Sequence, residues 1–457
     1  MLTTDCKFLE NELMDVVRLF EKRPTSICHS FRFEGGVFYN AFTVDGKEYS
    51  FVDEGQVRDE IEYKRLERRF AKLALYRILS ELSGEKMPWG ALTGIRPTKM
   101  AYMEKHAGRD YHELFAKMQV SGENVKLVDD ILAAQAGIYS TGEGADLFIS
   151  IPFCPTKCAY CSFITAPIDK IRHFLAPYLD CLEKELAAIA PLCGKLRSIY
   201  IGGGTPFVLS EEELERVLKA TAPLVREGVE YTVEAGRPDV FTDGKLRLLQ
   251  EYGVNRICIN PQSFSDETLR KIGRKHTVAD VYKAFELSKK YGFIINVDLI
   301  AGLEDEDVET FRRSVELAVE TGADNITVHC LSLKSGAKLK EELSRVENGF
   351  VADMVAVSRE ILSAAGYIPY YMYRQKYQAG NNENVGWTKP GRACVYNIDV
   401  MEETTDNIAV GANAVSKRVF DGGARIERFA SQKDLKTYME KLDETIAKRH
   451  EFFTKNP

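Results

Sequence analysis

Short apolar runs alternate with longer amphipathic stretches through the middle of the chain. The apolar runs lie at 147–152, 198–201, 230–234, 256–260, 294–300 and 325–331. Stretches with helical spacing separate them, at 171–191, 211–226, 243–252, 279–291 and 307–321. Strands that alternate with helices in this way predict a parallel sheet with right-handed crossovers.

The number of these units predicts the architecture. A complete eight-stranded barrel needs two more strand–helix units, and the later sequence does not show them clearly. We therefore predict an α/β fold of the partial (β/α)6 barrel type. In such folds the chemistry takes place at the carboxyl ends of the strands, in the loops that lead into the helices. Candidate site residues are therefore sought in those loops.

A different pattern precedes the barrel. Residues 31–39 predict a strand interrupted by a Gly-Gly turn, and residues 41–51 carry a hairpin signal at Asp45-Gly46. Residues 57–83 predict a charged amphipathic helix. We therefore predict an N-terminal α+β accessory domain at 1–143, the barrel at 144–375 and a small C-terminal domain at 376–457. The last of these is irregular in pattern until a final helix at 432–448.

Composition and charge exclude several classes of protein. The chain has 457 residues, of which 45% are hydrophobic and 28% charged. This is ordinary globular composition, with enough apolar mass for a large core. The net charge of −7 gives no global basic field, so nucleic acid is not expected as a partner. No apolar run reaches about 18 residues, so no membrane span is expected.

The N-terminus and the cysteine content indicate the cytoplasm. Charged side chains interrupt the start of the chain, so no apolar signal core forms there. These charged residues are Asp5, Lys7, Glu10, Glu12, Asp15 and Arg18. In a reducing compartment, the ten cysteines are expected to be thiols or metal ligands rather than disulfides.

The strongest chemical signal is a group of cysteines directly after the first core run. Cys154, Cys158 and Cys161 form a C-x3-C-x2-C pattern. Three thiolates this close can hold three corners of a [4Fe–4S] cluster. The alternatives are a zinc loop or three buried cysteines without a ligand. Zinc sites usually pair two C-x2-C units with four ligands, and the later cysteines stand alone, so the sequence favours the cluster.

This pattern after a first strand resembles the signature of the radical S-adenosylmethionine (radical SAM) superfamily. The surrounding residues 151–163, Ile-Pro-Phe-Cys…Cys-x-Tyr-Cys-x-Phe, are similar to one branch, the oxygen-independent coproporphyrinogen III oxidase (dehydrogenase) family. That branch also contains haem chaperones and anaerobic haem-degrading methyltransferases. The resemblance covers roughly residues 145–420. It implies that S-adenosyl-L-methionine chelates the open iron and is cleaved to methionine and a 5′-deoxyadenosyl radical.

A glycine turn after the second run resembles a cofactor-binding motif of the family. The sequence Gly-Gly-Gly-Thr-Pro occupies residues 202–206, and glycines let a backbone approach a ligand closely. The resemblance implies that Gly203, Gly204 and Thr205 meet the methionine amino group of the cofactor. It also implies backbone contacts between Tyr160 and the adenine. Without the neighbouring cysteines, Tyr160 would be an ordinary packed aromatic residue.

Four polar residues at or after later strands complete the implied cofactor site. A carboxylate at a strand end points into the site of a barrel, where Glu234 can meet an ammonium group or ribose hydroxyls. The resemblance adds Gln262 as a cofactor ligand, Arg274 as a ligand of the cofactor or an anionic substrate, and Asp298 as a ligand of a ribose hydroxyl. The alternatives are a solvated acid for Glu234 and an exposed helix-end cation for Arg274. Asp298 lies between apolar residues, and a buried strand acid needs a hydrogen-bonding partner.

Several positions depart from the pattern of the family. Phe163 stands where the decarboxylating members typically carry a further cysteine, as it does in the haem chaperones and the haem-degrading enzymes. Phe148 and Ser150 stand in place of the usual tyrosine and histidine before the cysteines, and the segment 378–387 also differs. These departures do not affect the radical chemistry, but they leave the substrate and the reaction open.

Basic and aromatic residues outside these motifs suit a flat, anionic macrocycle. The stretch 90–99 resembles one bacterial clade described as a coproporphyrinogen dehydrogenase variant, and its Arg96 and Lys99 can pair with propionates. A basic helix start on the surface is the favoured alternative. Four further candidates follow the sixth run, with ordinary packing and solvated charge as the alternative: Tyr371, Tyr373, Arg374 and Lys376.

The resemblance implies anaerobic tetrapyrrole chemistry. The first hypothesis is a radical SAM oxidoreductase that converts coproporphyrinogen III propionates to vinyl groups and gives protoporphyrinogen IX. No catalytic residue is assigned beyond the cluster ligands. Two alternatives use the same scaffold: a haem-binding chaperone without turnover, and a radical enzyme or methyltransferase that opens the haem ring. The expected partners are the tetrapyrrole, coproporphyrinogen III or haem, and a reductant such as flavodoxin or ferredoxin.

Overall fold

A computed structural model gives the fold, and it describes residues 1–93, 96–161, 166–332, 348–375 and 382–455. These residues form two compact units. The first is built from residues within 1–95, 100–129 and 374–376, and the second from residues within 96–99, 130–373 and 377–457. Among the described residues, no helix has the length and apolar character needed to span a bilayer.

The first unit contains a four-stranded sheet in the order β1-β2-β3-β4. The strands are β1 (Leu2–Thr4), β2 (Ile27–Glu34), β3 (Val37–Val44) and β4 (Lys47–Glu54). A tight turn joins β3 to β4, and both of its central residues are left-handed, Asp45 with φ 47° and Gly46 with φ 86°. This confirms the predicted hairpin, because a type I′ turn needs two residues with positive φ.

Five helices occur in the described residues before the barrel. They are α1 (Glu10–Val17), α2 (Glu60–Ser83), α3 (Pro97–His106), α4 (Tyr111–Lys117) and α5 (Gly122–Ala134). The helix predicted at 57–83 is α2. Asp59 caps its start, because the Asp59 side chain accepts a hydrogen bond from the Glu62 N–H over 2.7 Å. Phe70 of α2 packs on Phe38 of β3 with ring centroids 5.1 Å apart, which buries the apolar stripe of the helix against the sheet.

Six parallel strands form the centre of the second unit. They are six of the eight strands in this part of the described chain: β5 (Ala145–Ile151), β6 (Phe153–Cys154), β7 (Ala166–Pro167), β8 (Leu196–Gly203), β9 (Glu230–Gly236), β10 (Arg256–Ile259), β11 (Ile294–Ala301) and β12 (Asn325–Cys330). β6 and β7 pair only with each other, whereas β5 and β8 to β12 lie side by side in parallel. Each of these six overlaps one predicted apolar run. The sheet stays open within the described residues, which confirms the partial barrel.

Helices follow the barrel strands as the spacing predicted. They are α6 (Ile168–Ile171), α7 (Leu175–Ile189), α8 (Glu211–Thr221), α9 (Asp243–Glu251), α10 (Asp266–Lys271), α11 (Val278–Lys289), α12 (Val308–Glu320) and α13 (Asn348–Ala364). Local sequence fixes where several of them begin. Ser210 and Glu213 form a capping box at α8, and Thr277 and Asp280 form one at α11.

The chain after residue 375 is more regular than its sequence indicates. It contributes β14 (Asn384–Thr388), α14 (Val395–Glu402), β15 (Asp406–Val410), β16 (Val415–Phe420), β17 (Arg425–Ala430), α15 (Leu435–Glu440) and α16 (Leu442–Thr454), after β13 (Ile368–Tyr373). β14 lies between β12 and β13 and runs antiparallel to both. β15 extends the other edge, parallel to β5. The sequence of β14 shows no polar–apolar alternation, because this strand is short, buried throughout and interrupted by Gly386.

A buried ion pair fastens the last helix to the barrel. Arg449 of α16 and Glu185 of α7 are both fully buried and form a salt bridge. The Tyr438 hydroxyl and the Gly411 N–H each donate to Glu185 over 2.7 Å. Buried polar contacts of this kind favour one arrangement over others. The C-terminal helices are therefore held on α7 by specific contacts.

Candidate functional site

The three cysteines of the C-x3-C-x2-C pattern lie in the loop that follows β5. Cys154 is the last residue of β6. Cys158 and Cys161 follow in a turn, where the Cys161 N–H donates to the Cys158 carbonyl over 3.2 Å. The Ala159 N–H donates to the carbonyl of Ile272, which follows α10, over 3.0 Å. These contacts hold the loop at the carboxyl end of the parallel strands, where barrels of this type place their chemistry.

The arrangement of the thiols bears on the zinc alternative. All ten cysteines lie among the described residues, and none is in a disulfide. In the described part of the chain, no three His, Cys, Asp or Glu side chains converge on a single metal ion. A closed zinc site needs such convergence, because its four ligands share one ion. An iron–sulfur cluster is larger and is held by thiolates that bind different irons.

Backbone hydrogen bonds join the glycine motif to the start of the cysteine loop. The Gly204 N–H donates to the Ile151 carbonyl, and the Thr205 N–H donates to the Phe153 carbonyl, each over 2.8 Å. A Cβ on Gly204 would lie 2.5 Å from the Phe153 carbonyl oxygen, so only glycine allows this approach. Gly203 is left-handed with φ 102°. The predicted motif residues and Cys154 therefore belong to one local structure.

Glu234 lies in the last part of β9 and is half-buried. Burial raises the pKa of its carboxyl to about 8, and the nearby charge of Asp298 acts in the same direction. Hydrogen bonds from the Gly203 backbone and the Tyr200 hydroxyl, and the charge of Arg274, oppose this shift without cancelling it. Within the described residues, Glu234 has no salt bridge. Such a carboxyl suits a ligand that brings its own positive charge.

Gln262 and Asp298 are joined through the backbone. The Gln262 N–H donates to the Asp298 carbonyl over 3.0 Å, and the Ile300 N–H donates to the Gln262 carbonyl over 2.9 Å. Gln262 is buried and left-handed, with φ 75°. A residue other than glycine in this conformation stores strain that the surrounding structure must hold, and such positions concentrate at functional sites. The Asp298 side chain, by contrast, is a quarter exposed.

Arg274 and Tyr160 contact each other at the cysteine loop. An Arg274 Nη donates to the Tyr160 hydroxyl over 3.0 Å, and another donates to the Asn260 carbonyl. Burial on its own would lower the pKa of Arg274, but Tyr160 and a hydrogen bond to Cys158 raise it. Arg274 is thus a cation held beside the loop, and not the exposed helix-end cation of the alternative. The Tyr160 ring packs on an apolar cluster: Leu269, Ile272, Ile300, Leu303 and Leu331.

His329 and Tyr373 form a pair that no sequence motif indicated. His329 Nδ1 lies 2.9 Å from the Tyr373 hydroxyl, and His329 Nε2 lies 3.7 Å from Asp298 Oδ1. The period-two alternation of strand residues could have indicated His329, because Asn325, Thr327 and His329 share one face of β12. The register pairs Thr327 with Asp298, so this is also the face of Asp298.

The two positions that depart from the usual tyrosine and histidine are occupied differently here. Phe148 is the register partner of Tyr200, and their rings stack with centroids 6.2 Å apart. Tyr396 stacks on Tyr200 at 4.5 Å, which completes an aromatic stack. Ser150 donates to the Ala412 carbonyl over 2.9 Å and is buried. Ser150 therefore supports the fold, whereas Phe148 and Tyr200 stack beside Glu234.

The basic residues singled out for propionates have protein partners. Arg96 and Lys99 lie 2.7 and 2.6 Å from the carboxylate of Glu403. Glu403 precedes β15 at the amino end of the strands, opposite the cysteine loop, which supports the structural alternative for both cations. Arg374 donates to the Leu92 carbonyl over 2.6 Å in the first unit. Lys376, Phe163 and part of the segment 378–387 lie outside the described residues.

The residues at the loop fit an iron–sulfur cluster with a bound zwitterionic ligand. The donor set combines three thiols in one loop with a carboxyl that burial holds partly protonated. Two buried atoms at the same end of the strands, Asn260 Oδ1 and Arg274 Nε, have no hydrogen-bond partner among the residues that the structure describes. Buried polar atoms are rarely left in that state, so a ligand with hydrogen-bonding groups would satisfy them.

Comparisons with known proteins agree with this geometry. Residues 148–318 match the Radical SAM superfamily. The chain is 37% identical over 409 residues to the oxygen-independent coproporphyrinogen-III oxidase-like protein HemZ of Bacillus subtilis, which covers 83% of this chain and 80% of that protein. It is also 37% identical over 199 residues to the heme chaperone HemW of Bacillus subtilis, covering 40% of this chain and 49% of the chaperone.

A solved structure shares the fold. The chain is similar to coproporphyrinogen III oxidase (HemN) from Escherichia coli, a radical SAM enzyme, with a TM-score of 0.55 and 22% identity. The likeness covers 69% of this chain and 72% of that chain. At this identity it shows the fold alone, and it agrees with the open, partial barrel of the second unit. Members of the superfamily use a [4Fe–4S] cluster and S-adenosyl-L-methionine.

Proposed function

The chain belongs to the radical SAM superfamily, in the branch of the oxygen-independent coproporphyrinogen-III oxidase-like proteins, and from this we propose that it decarboxylates coproporphyrinogen III oxidatively. Two propionates become vinyl groups, and the product is protoporphyrinogen IX. Each propionate loses one hydrogen atom, one molecule of CO2 and one electron. The electron passes to a one-electron acceptor.

One observation carries the proposal: the cysteine loop, the glycine motif and Arg274 form a single hydrogen-bonded structure at the carboxyl ends of the strands. Thr205 connects the motif to Cys154, and Arg274 connects the end of β10 to Tyr160. When bound, the cluster and S-adenosyl-L-methionine supply a 5′-deoxyadenosyl radical that takes a hydrogen atom from a substrate carbon. We assign the cluster ligands to Cys154, Cys158 and Cys161.

The remaining roles follow from charge and position. Glu234 would accept the ammonium group of the cofactor, because an added positive charge favours its ionised form. Gly203, Gly204 and Thr205 would offer backbone groups beside it. Gln262 and Asp298, joined through the backbone, would hold the ribose side. The apolar cluster against Tyr160 would keep water from the reacting carbon, which a radical step requires.

A haem-binding chaperone is the second candidate. Phe163 favours it, since the chaperones lack the further cysteine at that position. The similarity to the chaperone HemW, however, covers 40% of this chain, against 83% for the oxidase-like protein HemZ. We therefore place the oxidative enzyme first.

The test is an anaerobic turnover assay on the full chain with a reconstituted cluster. Dithionite and S-adenosyl-L-methionine are added, and 5′-deoxyadenosine is followed with and without coproporphyrinogen III. The Cys158→Ser variant serves as the control for cluster-dependent release.

Three results separate the hypotheses. Substrate-stimulated 5′-deoxyadenosine together with protoporphyrinogen IX supports the proposal. 5′-Deoxyadenosine without a porphyrin product rejects this substrate, keeps the radical assignment and makes haem the next substrate to add. Stable haem binding by a loaded protein that releases no 5′-deoxyadenosine supports the chaperone instead.

A further inference from the structure

His329 lies on the barrel face that carries Asp298, and its surroundings are unusual for a strand residue. The His329 and Asp298 side chains are each a quarter exposed, whereas Val297, Leu299 and Val328 beside them are almost completely buried. The two polar side chains therefore open toward a space, and the apolar ones point the other way, as strand alternation requires.

The imidazole is held in one orientation. The Tyr373 hydroxyl lies 2.9 Å from Nδ1. Tyr373 is itself fixed by Asn384, whose side-chain amide donates to the Tyr373 carbonyl over 3.1 Å and accepts from the Cys330 N–H over 2.7 Å. The second ring nitrogen, Nε2, faces the Asp298 carboxylate. A lone pair on Nε2 would face the lone pairs of Asp298, so Nε2 carries a hydrogen.

The separation between the two groups is informative. His329 Nε2 and Asp298 Oδ1 are 3.7 Å apart, beyond the range of a direct hydrogen bond. Beside the pair, one hydroxyl group can donate to Oδ1 and accept from Nε2–H at ordinary distances of about 2.7–3.0 Å. A carboxylate fits less well, because Asp298 already presents carboxylate oxygens here, and like charges a few ångströms apart repel.

We propose that His329 and Asp298 together bind one ribose hydroxyl of S-adenosyl-L-methionine, with Tyr373 as the residue that positions the imidazole. The inference rests on the proposed function, since it takes the cofactor site to lie in the barrel. It adds a donor to the acceptor that Asp298 provides. A hydroxyl is both donor and acceptor, so a donor and an acceptor side by side satisfy both of its roles.

The test measures binding, not turnover, on the full chain with an oxidised, reconstituted cluster. Dissociation constants are measured for S-adenosyl-L-methionine and for its 2′-deoxy and 3′-deoxy analogues. His329→Phe removes the N–H and keeps an aromatic ring, and His329→Gln retains an N–H donor. Circular dichroism and thermal unfolding check that each variant is folded.

We expect His329→Phe to weaken cofactor binding roughly three- to tenfold, the value of one hydrogen bond, and His329→Gln to recover most of it. One of the deoxy analogues should bind the wild type more weakly than the cofactor binds His329→Phe, because removing the hydroxyl also removes the hydrogen bond to Asp298. The affinity of that analogue should fall little further in His329→Phe, because the analogue lacks the hydroxyl that His329 would bind. Wild-type affinity in folded His329→Phe, or additive losses with both analogues, overturns the proposal.

Two further measurements distinguish a failure of the positioning role of Tyr373 from a failure of the cofactor site or of the substrate. Tyr373→Phe should change the ¹⁵N shifts of one histidine among the seven in the apo protein, from a single Nε2–H form toward a mixture of tautomers. An unchanged spectrum contradicts the positioning role. A wild type that does not bind S-adenosyl-L-methionine overturns the cofactor site together with the proposed function. If His329→Phe and one deoxy analogue show the expected non-additive losses of affinity but turnover gives no porphyrin product, the role of His329 stands and only the substrate is rejected.

Discussion

The hydroxyl of Thr205 donates a hydrogen bond to Sγ of Cys154 over 3.6 Å. The two residues are 51 positions apart, in the glycine motif and in the cysteine loop. Hydrogen bonds to cluster sulfurs are one of the means by which a protein sets a reduction potential. Through this contact, a residue of the cofactor-binding motif would also influence the reduction potential of the cluster.

Removing this contact should make the cluster harder to reduce. Thr205→Val keeps the shape of the side chain and deletes the donor. A hydrogen bond worth about 1 kcal/mol to the reduced state corresponds to roughly 40 mV for one electron. We expect the midpoint potential to fall by about that amount in an EPR-monitored redox titration. Thr205→Ser retains the hydroxyl and should titrate like the wild type, and a fall of the same size in Thr205→Ser would contradict this account.

The cysteine assignment predicts a selective loss of iron. Cys158→Ser should abolish most of the iron and the brown colour of the reconstituted protein, since three thiolates must hold the cluster. Cys193→Ser is the matched control, because Cys193 is also buried but follows α7, away from the loop. Iron analysis and the visible spectrum measure both. Full iron content in Cys158→Ser, or equal losses in the two variants, would exclude the assignment.

The barrel and the cysteine loop were predictable because their signals are local. Each parallel strand is a short apolar run, and Cys154 to Cys161 span a single loop, so spacing along the chain is enough. The motif residues Gly204 and Thr205 fall beside that loop because β5 and β8 are neighbours in the sheet. Adjacent parallel strands bring their carboxyl ends to the same edge.

The His329–Tyr373 pair could not be predicted in the same way. The two residues are 44 positions apart, and β14, which follows both of them in the chain, lies between their strands in the sheet. Their contact depends on an antiparallel insertion whose own pattern was hidden, because β14 is buried on both faces. Long-range register of this kind is set by tertiary packing, and local periodicity does not encode it.

The raised pKa of Glu234 predicts a pH dependence for the apo protein. Its pKa is about 8 in the folded protein, against 4.5 in the unfolded chain. Between these two pH values, Glu234 is therefore protonated in the native state and ionised in the unfolded state. Its contribution to the free energy of unfolding is therefore highest below about pH 4.5 and decreases up to about pH 8. Glu234→Gln should remove this contribution. Denaturant unfolding at pH 5 and pH 8 on both proteins measures the difference.

The same carboxyl should couple cofactor binding to proton release. If the ammonium group of S-adenosyl-L-methionine meets ionised Glu234, binding at about pH 7 should release close to one proton. Calorimetry in two buffers of different ionisation enthalpy reports that number. Glu402→Gln is the control, because Glu402 also has a raised pKa, about 7, but contacts Gln135 at the other end of the barrel. Proton release that persists in Glu234→Gln would rule out this role for Glu234.

Glu403 lies within a group of four cations. Its carboxylate pairs with Arg96, Lys99, Lys417 and Arg428. Despite burial, these charges lower its pKa to about 2, so its contribution is present above about pH 4.5 and is lost as the pH falls toward 2.

Glu403→Gln should therefore lower the free energy of unfolding by about 3 kcal/mol or more, because four cations would lose their counter-charge. Part of the loss should return at high salt, where screening reduces their repulsion. Glu427→Gln removes a half-exposed pair with Arg425 and should cost less than about 1 kcal/mol. Equal effects of the two substitutions in urea unfolding would argue against a special role for Glu403.

Gly386 leaves the space that the Tyr371 ring needs to reach Thr327. The Tyr371 ring crosses over Gly386, and its hydroxyl lies 3.2 Å from Thr327 Oγ1. A Cβ at position 386 would lie 1.8 Å from Tyr371 Cε1, so Gly386→Ala must displace the ring and break this contact. We expect a loss of about 1–3 kcal/mol, as for overpacking in a core.

Gly122→Ala is the matched control, since a Cβ there meets nothing within 4 Å, and its effect should stay within about 0.5 kcal/mol. Adding Tyr371→Leu to Gly386→Ala should cost less than the sum of the single changes, because the clash is removed with the ring. Strict additivity in the double variant would mean that the alanine acts through the strand backbone and not through Tyr371. The coupling thus decides whether glycine is required here for the ring or for the strand.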